Sequence, residues 1–217
     1  GAYQNDNIKE FYPALMNSYL GSDWEVLNQG VGGWTTWHIR EYVDKKMEEL
    51  RPQVATLYIG HNDLLTSVPM PYEQLYKAWK ANPNAKGLGE QFGRYRLYHA
   101  FRHFIVSLRP SQHRAAVPLD HALGNLLHII EKVKEGGGRV ILASEGLSPD
   151  PGPLHGYNEM MMDIAEKDDS VRYANIAEEL HTLPSAEIFL DDCHLTPLGH
   201  RLVAERLGRE VSEWHGT

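Results

Sequence analysis

Ten residues near the C-terminus, "DDCHLTPLGH" (191–200), gather two acids, a cysteine and two histidines just before the last predicted helix. Asp191 and His194 stand three apart, so one turn or tight loop can bring carboxylate and imidazole together. A carboxylate on one ring nitrogen fixes the tautomer and leaves the other nitrogen as a base. Metal ligation and an ordinary solvated acidic loop are the alternatives. Thr196 and Pro197 read as the N-cap and first position of a helix. Two further clusters sit where a strand gives way to a helix. In "NQGVGGWTT" (28–36), Gly30, Gly32 and Gly33 allow a sharp turn that presents a backbone N–H, although a plain strand-to-helix turn is the favoured account of them taken alone. In "YIGHND" (58–63), Asn62 can donate a side-chain N–H to a developing oxyanion, or Asp63 can cap a helix.

The elements that must position these clusters alternate between strand and helix. "WEVLN" (24–28), "VATLYIG" (54–60), "RVILAS" (139–144) and Val171–Tyr173 read as strands; the two continuous apolar runs suit strands covered on both faces. Helices are expected at 7–21, with Pro13 in the first turn, and from Thr35 or Thr36 through Ile39, Val43, Met47 and Leu50. Others are expected with Leu123, Leu126, Leu127, Ile130 and Val133 on one face, around Tyr157–Glu166, and over Pro197–Trp214. This alternation implies an α/β fold, a three-layer α/β/α sandwich on a mostly parallel sheet. Residues 1–217 form one domain, interrupted by an aromatic and basic insertion at 64–120 that is either a packed excursion or a lid. Its Tyr72, Tyr76, Trp79, Arg94, Tyr95 and Arg96 suit a carbohydrate ester or an anionic head group, or packing. His99, His103 and His113 read as surface or packing groups.

Composition narrows the function. With 21 basic against 29 acidic residues the net charge is −8, and no Lys/Arg stripe offers a nucleic-acid surface. No run approaches the roughly 20 apolar residues of a membrane span. Cys193 is the one cysteine, which excludes an internal disulfide. No signal peptide is legible, so a soluble protein is expected, cytoplasmic or secreted with an N-terminal part removed.

In chain order the three clusters read N-x-G-x-G-G, G-x-N-D and D-x-x-H-x-x-x-x-G-H. This resembles the SGNH (GDSL-type) hydrolases, a family of esterases and lipases with a flavodoxin-like sandwich, in its three later sequence blocks. "FYPALMNSYLG" is similar to the family's first helix and "YNEMMMDIAEKD" to a later one. The resemblance implies an oxyanion hole from the Gly33 N–H and the Asn62 side chain, with His194 as general base and Asp191 as its orienting carboxylate. It implies hydrolysis of an acyl or acetyl ester, on a carbohydrate or a lipid, through an acyl-enzyme, with no metal or organic cofactor. Trp34, Trp37 and His61 are expected to line the substrate pocket.

The family's first block, G-D-S, is absent from residues 1–217; "GSD" at 21–23 reads as a turn. The resemblance places the serine just upstream of Gly1, at the end of an interior strand. An empty interior slot would leave buried backbone groups unpaired at about 1–3 kcal/mol each, so a separate N-terminal segment or second chain is expected to supply strand and serine. The competing readings are a binding protein on the same fold without the nucleophile, and a metal-dependent phosphoesterase. Against the latter, the order here is G-H-N-D rather than G-N-H-D.

Overall fold

The computed structural model describes residues 10–64, 115–148 and 152–215. The elements are, in order, α1 (Tyr12–Leu20), α2 (Thr36–Leu50), β1 (Val54–Tyr58), the single turn α3 (His61–Leu64), α4 (Leu119–Glu135) and β2 (Arg139–Ala143). A 3-10 turn (Gly152–Leu154) leads into α5 (His155–Lys167), then β3 (Val171–Ala174), α6 (Ile176–Leu180), α7 (Ser185–Ile188) and α8 (Pro197–His215). The strands pair in parallel in the order β1-β2-β3, with Ala55 opposite Val140 and Leu142 opposite Tyr173.

The period of two along each strand sorts side chains into two cores. Val140 and Leu142 of β2 join Ala55, Leu57, Val171 and Tyr173 against α2, α4 and α5. Ile141 and Ala143 join Val54, Tyr58 and Ala174 against α1, α6 and α8. Helices therefore cover both faces of a parallel sheet, the expected α/β/α arrangement. Central β2 is buried from Val140 to Ala143, whereas all five β1 residues keep partial exposure.

Two sequence expectations are corrected. Residues 24–28 form no strand: the Val26 N–H donates to Asn17 Oδ1 at 2.9 Å rather than to a ladder, while Trp24 and Val26 still pack on the core. β-rich composition makes a strand only where a neighbouring strand can accept its hydrogen bonds. On α4, Leu123 and Leu127 are exposed; the buried face runs through Ala122, Leu126, Ile129, Ile130 and Val133. A helix that shows five aliphatic side chains on one arc still buries only the stripe its neighbours cover.

The expected insertion, with its aromatic and histidine candidates, lies almost wholly outside the described residues. Its stem does not: the Val117 N–H donates to the Asp63 carbonyl at 3.0 Å, so the chain returns to the point at which it left. No helix among the described residues is long and apolar enough to cross a membrane.

Candidate active site

Parallel strands deliver their C-terminal ends to one edge of the sheet, where α/β folds bind ligands. Here β1 runs into Gly60 and α3, and β2 into Ser144 and Glu145. A buried hydrogen-bond network ties α3 to the start of α2. The Asp63 carboxylate accepts the Thr36 N–H at 2.8 Å through Oδ1. Its Oδ2 accepts the Thr36 hydroxyl at 2.6 Å and the Tyr157 hydroxyl at 3.2 Å. Asn125 Nδ2 donates to Thr36 Oγ1 at 3.2 Å, and Arg40 reaches Asn125. The first N–H groups of a helix have no partner within it, and the helix dipole favours an anion there. Asp63 thus caps α2, 27 residues upstream, rather than its own turn. Burial nevertheless pushes its carboxyl up to about 6, against the pull of the Thr36 and Tyr157 bonds.

This clamp fixes the glycine turn beside Asn62. Gly33 has φ +80°, the left-handed region that glycine occupies without strain. The next residue, Trp34, accepts a hydrogen bond from Asn62 Nδ2 on its carbonyl at 3.0 Å, so the two clusters meet through a direct bond. The Trp34 ring is stacked with His38 at 6.2 Å and tilted on Tyr42 at 5.5 Å. Trp37 packs on the core beneath α2 and meets His38 edge-on. His61 is half-buried; burial lowers its pKa, and the His194 charge lowers it further.

The third cluster is a loop closed by an antiparallel bridge between Phe189 and Leu195 and by the Leu190 N–H bonded to the His194 carbonyl at 2.7 Å. Within it Asp191 Oδ1 accepts the backbone N–H of Cys193 at 3.0 Å and of His194 at 2.9 Å. His194 Nδ1 lies 2.8 Å from Oδ1 and 2.7 Å from Oδ2. An aspartate that bonds the backbone two and three residues on builds the turn by itself. These bonds, the Cys193 N–H first, hold the Asp191 carboxyl well below the usual carboxylate range. Thr196 Oγ1 accepts the Gly199 N–H at 3.2 Å and caps α8 as expected. The Ser148 N–H bonds the Asp192 carbonyl at 2.8 Å, lashing the loop to the end of β2.

About half of each side chain is exposed, 46% for His194 and 49% for Asp191, so the pair adds little stability; its effect is orientation. Asp191, Cys193 and His194 are also the residues that could hold a metal, their ligand atoms lying within 4.8 Å of one another. Burial, followed by the Asp191 charge, pushes the Cys193 thiol up to about 11. It therefore stays protonated at neutral pH, the weaker form as ligand and as nucleophile.

One residue of the site was missed in the sequence. Glu145 lies at the end of β2 and accepts the His61 N–H on Oε2 at 2.5 Å. Its one sequence signal is an acid two residues beyond the buried apolar run Val140–Ala143.

The chain matches the model of the GDSL-like lipase/acylhydrolase family over residues 1–202. No functionally curated protein matches it in sequence. Among solved structures it is similar to a putative lipolytic protein of the G-D-S-L family from Desulfitobacterium hafniense DCB-2. That match has 13% identity and a TM-score of 0.62, covering 95% of this chain and 91% of that one. It is similar to a catalytic mutant of an acetylxylan esterase from Geobacillus stearothermophilus at 18% identity and TM-score 0.60, covering 93% and 80%. A putative acylhydrolase from Bacteroides fragilis NCTC 9343 is 12% identical with TM-score 0.60, covering 93% and 81%. At these identities the likeness is one of fold.

Proposed function

The chain belongs to the GDSL-like lipase/acylhydrolase family, and from that premise we propose that it serves a serine esterase cleaving a small acyl ester, with Asp191, His194, Gly33 and Asn62 in the reacting centre. The observation that carries this reading is the Asp191–His194 pair, whose imidazole is bonded through Nδ1 to a carboxylate that the backbone already keeps ionised. With Nδ1 carrying its proton, Nε2 is the base. It takes the serine proton as Oγ attacks the ester carbonyl, and Asp191 stabilises the imidazolium that results. The carbonyl oxygen becomes an oxyanion received by the Gly33 N–H and by Asn62. One Asn62 amide hydrogen is committed to the Trp34 carbonyl, and the second is the donor to the oxyanion. Collapse of the intermediate expels the alcohol, which takes the His194 proton. Water, deprotonated by the same imidazole, then releases the acid and restores the serine.

The serine comes from a strand that pairs with the outer edge of β1. Two observations support this: β1 has no strand partner on that side among the described residues, and 24–28 lies outside the sheet. An acetyl group on a carbohydrate suits the aromatic wall that Trp34 forms with His38 and Tyr42.

The test is a fluorophosphonate serine probe on the full natural protein, with the adduct located by mass spectrometry. The expected adduct is on a serine outside residues 1–217, abolished by His194→Ala, and Asn62→Ala should lower kcat by about 10²–10³. An adduct within 1–217 overturns the strand assignment. No adduct and no ester turnover leaves a binding protein on this fold.

A further inference from the structure

Glu145 is a carboxylate at the mouth of the sheet that the acyl-transfer steps leave unused. It follows the most deeply buried strand, and its Oε2 reaches across 84 residues of sequence to the His61 backbone N–H. That N–H opens α3, a four-residue turn whose remaining local bonds run from the Asp63 and Leu64 N–H groups to the Gly60 carbonyl. So short a helix has too few internal bonds to hold its first residues, and the next residue is Asn62. Asp63 anchors the far side of the turn from α2; Glu145 anchors the near side from β2.

We propose that Glu145 is a positioning residue: by holding the His61 N–H it fixes where Asn62 presents its amide to the oxyanion. The proposal rests on the esterase reading and adds a residue to it. Around the carboxylate stand His61 and Asp63 from α3, His194 and Cys193 from the catalytic loop, Tyr58 from β1, Tyr12 from α1 and Tyr157 from α5. Three of these are tyrosines whose own ionisation burial suppresses, so the pocket holds few charges to offset that of Glu145. Burial pushes its carboxyl up to about 7, with the His61 N–H pulling down, Asp63 pushing up and His194 pulling down. An ionised acceptor grips an N–H more strongly than a neutral one. The hold on the turn therefore tightens as pH rises through neutrality.

The experiment compares wild type, Glu145→Gln and Glu145→Ala in the full natural protein. It reads kcat and KM for p-nitrophenyl acetate across pH 5–9, and the ¹H–¹⁵N resonances of the His61 amide and the Asn62 side chain over the same range. Glu145→Ala should lower kcat about tenfold with KM within twofold, since a misplaced donor weakens the transition state and spares substrate binding. In wild type the His61 amide should titrate near neutral pH. In Glu145→Gln that titration should shrink to what Asp63 and the His61 ring on the same turn contribute, and the acid limb of kcat/KM should lose one proton of steepness. An Ala variant with unchanged kcat, or a His61 amide that does not titrate in wild type, overturns the proposal. If Ala unfolds the chain, the Gln profile decides alone. If wild type hydrolyses no ester, the esterase reading fails, and the two resonances still decide whether Glu145 positions the turn.

Discussion

Replacing Thr36 with valine removes one hydroxyl from the buried clamp and leaves the shape of the side chain unchanged. Two bonds go: the 2.6 Å bond to Asp63 Oδ2, and the 3.2 Å bond that Thr36 Oγ1 accepts from Asn125 Nδ2. A hydrogen bond to a charged group contributes about 1.5–3 kcal/mol, and a buried donor left without an acceptor costs about 1–3 kcal/mol. The retained Thr36 N–H bond and some relaxation around Asn125 offset part of this, so a loss of about 3 kcal/mol is expected at neutral pH. The sign of the pH dependence follows from Asp63. Its folded value, about 6, lies above the ordinary aspartate value of 3.8, so folding disfavours the ionised form and stability falls as pH rises through that window. The Thr36 hydroxyl opposes the rise, so its removal lifts the folded value again. A further rise of about one pH unit would separate the high-pH and low-pH losses by about 1.4 kcal/mol. Urea unfolding at pH 8 and pH 4.5 is the assay. With a slope of roughly 2–3 kcal/mol/M, the midpoint at pH 8 should drop by about 1 M, and by less at pH 4.5. Equal losses at both pH values, or a loss under about 0.5 kcal/mol at pH 8, would refute the clamp as described.

Asp191→Asn should lower kcat by about 10²–10⁴, because the amide favours the wrong imidazole tautomer. Its melting temperature should barely move, since the exposed pair contributes little to stability, and unchanged kcat in the full natural protein would remove Asp191 from the mechanism. Gly199→Ala would place a Cβ 2.7 Å from the Ile188 carbonyl and 3.0 Å from Leu195 Cδ2. The start of α8 must then shift, at a cost of about 1–3 kcal/mol. A chain of this size should lose about 2–4 °C of melting temperature per kcal/mol, and a melt within 1 °C of wild type would contradict the contact.

The elements that read clearly from the sequence were those whose signal is local. Continuous apolar runs marked β1 and β2, and helical spacing marked α2 and α8, because burial on both faces or on one stripe leaves a periodic trace. Residues 24–28 misled because strand composition is local while pairing is not. Leu123 and Leu127 misled because the outer limit of a helix's buried arc is set by its neighbours. The same division runs through the site. Asp191 and His194 are three residues apart, and their pairing was legible from that spacing. The capping of α2 by Asp63 crosses 27 residues and the Glu145 bond to His61 crosses 84, distances at which a single sequence carries no pattern.

The half-exposed setting of the Asp191–His194 pair separates two things that selection can act on. On the proposed mechanism, substitutions at either position alter proton transfer and leave the core intact, so a lineage released from its substrate can lose turnover while its descendants still fold. Asp63, sealed at 1% exposure with three donors converging on it, offers no such freedom, because its loss strands partners in a dry interior. In descendants of this chain the clamp should therefore outlast the dyad, and a sequence that keeps Thr36 and Asp63 but has lost His194 is better read as a retired enzyme than as an unrelated fold.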